Sequence, residues 1–126
     1  MSGALVDVGM TSLALGAVAG WPVSLLVQSP GTARRLRIVE PRRLLQVHID
    51  WIVMGVVLIA VGVAVPSVAG WTQVALLVGA VGNPLLFLPM AFAGSRLQQR
   101  WSFRLAAAAS FSALSGSLVV IAWGAW

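Results

Sequence analysis

The chain has 126 residues, of which 60% are hydrophobic and 9% charged, against about 45–50% and about 25% in an ordinary soluble domain. So short a chain cannot hide that much apolar surface in one aqueous core, which excludes a soluble globular domain. No cysteine and a single histidine exclude a disulfide scaffold or a zinc or iron–sulfur centre, and one histidine with three acids leaves little room for a serine triad.

The first predicted helix covers 5–28 and carries Gly16-x-x-x-Gly20 and Trp21. No arginine or lysine precedes its apolar stretch, so it reads as a retained span and not a cleaved signal peptide. Asp7 lies near one end, within reach of water. Ser29, Pro30 and Gly31 stop the helix, and a loop with Arg34, Arg35, Arg37, Arg42 and Arg43 follows. The second helix covers 42–65, with Pro41 suited to its first turn and Glu40 before it. Pro66, Ser67 and Gly70 close it. The third covers 71–94 and holds Asn83, Pro84 and Pro89; Arg96, Arg100 and Arg104 come next. The fourth covers 103–126, with Ser112-x-x-x-Gly116 in its middle.

Each segment has roughly the 20 residues needed to cross about 30 Å of hydrocarbon. The short alternating strands of a membrane barrel are absent. The expectation is therefore an all-α, integral membrane four-helix bundle, one transmembrane domain over 1–126. All eight arginines, the source of the net charge of +5, fall in two loops on the same side of such a bundle. They act as topology signals and lipid-phosphate contacts, with no nucleic acid implied, and place that side in the cytoplasm and both termini outside. Trp71, Trp101, Trp123 and Trp126 sit at helix ends as interface anchors. The small-residue stripes of the first and last helices predict close helix packing, within the chain or between copies.

Ionisable groups inside a bilayer are costly and mark candidate sites. His48 lies about 10 Å along the second helix, just below the headgroups. Asp50 is about 200° around from it and shares the opposite face with Gln46. His48, Trp51, Ile52 and Gly55 share one face. Two uses of a lone histidine stand open: its ring bonds a backbone carbonyl near the interface, or it is the axial ligand of a haem, a metal cofactor that accepts a single protein ligand. For the second, Gly55 leaves room for a flat macrocycle and Arg42 and Arg43 lie where propionates would reach. Asn83, at mid-membrane, needs a partner across helices, and Pro84 and Pro89 should loosen the helix around it.

The order of these features resembles the small membrane isomerases that include styrene oxide isomerase and hydroxylaminobenzene mutase. The likeness runs from Leu15-Gly16-x-x-x-Gly20 through His48-Ile49-Asp50-x-x-x-Met54-Gly55 to Gly79-x-x-x-Asn83. It implies a homotrimer in the membrane holding haem b on His48, with the iron as Lewis acid on a small hydrophobic epoxide or hydroxylamine. His48 and Asn83 would then act on substrate, with Trp51 beside them in the pocket. Two family positions differ: the asparagine six residues after the histidine is Met54 here, and the tyrosine two residues before Asn83 is Val81. Both losses leave an apolar pocket, so the alternatives are a non-enzymatic membrane haem protein for electron transfer or gas sensing, or a haem-free structural subunit. A bacterial-type inner membrane is the expected location.

Overall fold

The computed structural model describes residues 3–124. It consists of helix α1 (Gly3–Gln28), the short α2 (Pro30–Arg35), α3 (Pro41–Ala64), α4 (Gly70–Ala93), a 3-10 helix (Gly94–Gln99) and α5 (Trp101–Ala122). Four of these helices are long and apolar enough to cross a membrane, and they form an all-α bundle: the chain is a multi-pass membrane protein. Large apolar side chains such as Val18, Trp21, Val63 and Phe111 point outward, the arrangement suited to a lipid solvent.

The packing follows chain order. α3 lies against α1, α4 against α3 and α5 against α4, with α1 touching α4 only marginally. At the arginine-free end one core cluster draws on all four spans, through Leu5, Leu58, Leu76, Ala80 and Ile121. At the arginine-bearing end a second cluster joins Val23, Ala33, Ile38, Leu44 and Ala91. Between these plugs α1 and α3 meet through glycine. A Cβ on Gly9 would come 2.8 Å from the Gly55 carbonyl oxygen, and one on Gly55 would come 2.8 Å from that of Gly9. The buried positions of α1, Leu5, Gly9, Ser12, Gly16 and Val23, keep the spacing of a helix–helix seam, and small residues there bring the backbones together.

Several elements differ from expectation. The segment after Gln28 is not a plain loop: Pro30 opens α2 at its first turn, where its missing N–H costs nothing. α2 ends with Arg37 N–H on the Arg34 carbonyl and Ile38 N–H on that of Ala33. Arg37 takes φ 57°, the left-handed residue of a Schellman stop. This turn seats Ala33 and Ile38 in the core. α4 runs unbroken through Pro84 and Pro89, because neighbouring helices hold it where two donors are missing. The last helix ends at Ala122, with Trp123 and Gly124 in a turn; the expected continuation to Trp126, and that residue's anchoring role, lie outside the described residues. The two arginine-bearing connections do share one end of the molecule: the Val39 and Glu40 N–H groups both donate to the Ala91 carbonyl, at 2.8 and 3.0 Å.

Candidate functional site

His48 sits about two turns into α3 and faces α1. Its Nδ1 lies 2.7 Å from the Gly16 carbonyl oxygen. A carbonyl only accepts, so Nδ1 carries a hydrogen, and in the neutral ring the lone pair is left on Nε2. Fixing one ring nitrogen on a backbone carbonyl is how ligating histidines are held in tautomer and orientation. Gly20 makes the space: a Cβ there would come 2.9 Å from His48 Cε1 and 3.5 Å from Nε2.

Beside the ring lies a cleft of about 260 Å³ bounded by Gly20, Val23, Ser24, Gln28 and Leu45. A neighbouring hollow of about 290 Å³ shares Gly20 and Ser24 and is walled by Trp21, whose ring is exposed. Each is smaller than the roughly 300–1,000 Å³ of pockets that enclose a drug-sized ligand. Ser24 and Gln28 are bonded to each other at 2.8 Å. Among the described residues no group of three histidine, aspartate or glutamate side chains comes together, and His48 is the one such residue lining the cleft.

The other predicted residues are distributed unevenly. Trp51 and Ile52 share His48's face and pack on Gly16, as the helical spacing requires. Gly55 lies on that face too, but it does not leave room for a macrocycle: the backbone of Gly9 and the side chain of Leu13 fill the space above it. Arg42 is exposed and stands one turn before Leu45 of the cleft wall. Arg43 is engaged, its Nε donating to Glu40 Oε2 at 3.0 Å and its Nη1 to Gln46 Oε1 at 2.8 Å. Asn83 lies on a different seam, where its Oδ1 accepts from the Ser110 hydroxyl of α5 at 3.0 Å. The same hydroxyl lies 3.3 Å from the Gly79 carbonyl. Asn83 therefore has the partner across helices that a mid-membrane amide needs.

Gly20, Trp21, Ser24 and Gln28 were missed as wall residues. The signal was present in part, since Gly20, Ser24 and Gln28 recur every fourth residue and so share a face of α1. Comparison of the chain with family models, curated proteins and solved structures finds no match.

Proposed function

We propose that the chain is a membrane haem protein that holds a b-type haem through Nε2 of His48. The observation that carries this reading is the Nδ1 bond to Gly16, which commits Nε2 to the lone pair beside a cleft cleared by Gly20. Arg42, one turn before Leu45 of the cleft wall, would pair with a propionate. Arg43 is paired with Glu40. A porphyrin is larger than the cleft, so its outer edge would project beyond one copy. Several copies, three by the family resemblance, would cover it and keep the propionates from lipid.

When bound, the iron supplies a Lewis acid for opening a small hydrophobic epoxide or rearranging a hydroxylamine, the chemistry of the isomerases this chain resembles. The chain's own residues set the surroundings. His48 is oriented by Gly16, Trp21 and Trp51 give apolar walls, and Asn83 serves the α4–α5 contact and not the imidazole. One observation favours a second reading, gas binding or electron transfer without turnover. The polar side chains beside His48, Ser24 and Gln28, are tied to each other, and no acid or base other than His48 lines the cleft.

The test is an absorption spectrum of detergent-purified protein, wild type and His48→Ala. The wild type should show a Soret band and the variant should lose it while still inserting, because insertion depends on the apolar spans. A normal band and full haem content in His48→Ala would remove His48 as the ligand. A wild type that takes up no haem leaves His48 as an interhelical clamp in a structural subunit. Turnover of an aryl epoxide by the haem-loaded protein separates isomerase from carrier.

A further inference from the structure

A larger hollow, about 560 Å³, lies between α4 and α5. Its walls run from Val78 and Gly82 to Pro89 on one side, and along Phe103, Ala106 and Ala109 on the other. Val78, Pro89, Ala106 and Ala109 are exposed, so the hollow opens sideways toward lipid. Its one polar wall, the Ser110 hydroxyl, is already engaged by Gly79 and Asn83. From Val78 to Pro89 it extends about 16 Å along the helix axis, at 1.5 Å per residue. That is about half of the ~30 Å hydrocarbon core, the depth of one leaflet.

The groove ends at Phe103, and Arg100 stands one turn of α5 before it. Arg96, Arg100 and Arg104 are all exposed, and no acidic residue follows Asp50 in the chain. Glu40, the acid at this end of the molecule, is bound by Arg43. On the other flank of α5, Trp101, Arg104 and Leu105 border a further hollow of about 340 Å³. An apolar groove one leaflet deep thus ends one turn from Arg100, which has no acidic partner among the described residues. A second copy inserted in the same sense would bring further arginines and no spare acid to that level. An anionic amphiphile supplies both the tail and the charge.

We propose that this groove holds an acyl chain of an anionic phospholipid from the leaflet on the arginine-bearing side, with its phosphate on Arg100. The site is separate from His48 and stands whether or not haem binds. The experiment is native mass spectrometry of protein released from bilayers of equal parts phosphatidylglycerol and phosphatidylcholine. The wild type should retain phosphatidylglycerol selectively. The variant Arg100→Gln should retain it about fivefold less, the effect of one arginine near an anionic headgroup. Ala109→Leu should evict the lipid while leaving the arginines in place, and Ala106→Leu serves instead if circular dichroism shows that variant unfolded. Equal retention of the two lipids by the wild type overturns the proposal, as does undiminished retention in the folded variants. So does an Ala109→Leu protein whose oligomeric mass changes with no lipid lost, which would show a second copy in the groove.

Discussion

Gly20 governs the imidazole more than any residue on the histidine's own helix. A methyl there would meet Cε1 at 2.9 Å, closer than real contacts allow, and the ring would have to turn away from the Gly16 carbonyl. Gly20→Ala should therefore weaken haem affinity about 10–100-fold, the usual cost of losing a group that orients a ligand, read by haemin titration at the Soret band. Gly3→Ala, in the same helix with nothing within 4 Å, should titrate like the wild type. At this scale the sequence was half legible. Helical periodicity placed His48, Trp51, Ile52 and Gly55 on one face, and an imidazole below the headgroups was expected either to bond a carbonyl or to bind iron. Periodicity names a face without naming what covers it. The Gly55 position looked open for that reason, yet the backbone of Gly9 closes it.

Between elements, the α4–α5 seam shows why small residues are not equivalent. A Cβ on Gly79 would fall 2.5 Å from the Leu114 nitrogen and 2.8 Å from its Cα, and backbone atoms of a packed helix cannot swing aside. Gly79→Ala should destabilise the protein by about 1–3 kcal/mol, the range for overpacking a core. Gly116→Ala meets nothing within 4 Å and should be neutral or stabilising by up to about 1 kcal/mol, since glycine weakens a helix interior. Denaturation in mixed micelles, followed by circular dichroism, checks both. The Ser112-x-x-x-Gly116 stripe therefore does not build the contact within the chain; Gly79, Ser110 and Leu114 do. α2 was illegible for another reason: Pro and Gly at its start are stop signals for α1, and a six-residue helix is too short for a period. Its existence depends on Ala33 and Ile38 finding the core.

For the whole molecule, the four spans and the shared side of the arginines were readable because hydropathy and charge count need no tertiary knowledge. The link between the two arginine-bearing connections, through the Ala91 carbonyl, was not, since backbone bonds leave no mark in side-chain pattern. With eight arginines at one end and none among the residues of the other, the positive-inside rule predicts that end to be cytoplasmic. A reporter active only in the cytoplasm, fused at either terminus, should stay silent, and one fused within Pro66–Gly70 should stay silent too. Activity at a terminus would reverse the orientation.

The chain-order packing has a consequence for how the protein is made. During synthesis the N-terminal spans enter the membrane first, and each later span finds a packing partner already there: α3 meets α1, α4 meets α3, α5 meets α4. Loop closure is short at every step, so no helix waits in lipid for a distant mate. The contact of His48 with Gly16 lies wholly within the first pair. It can be complete while the second half of the chain is still in the ribosome.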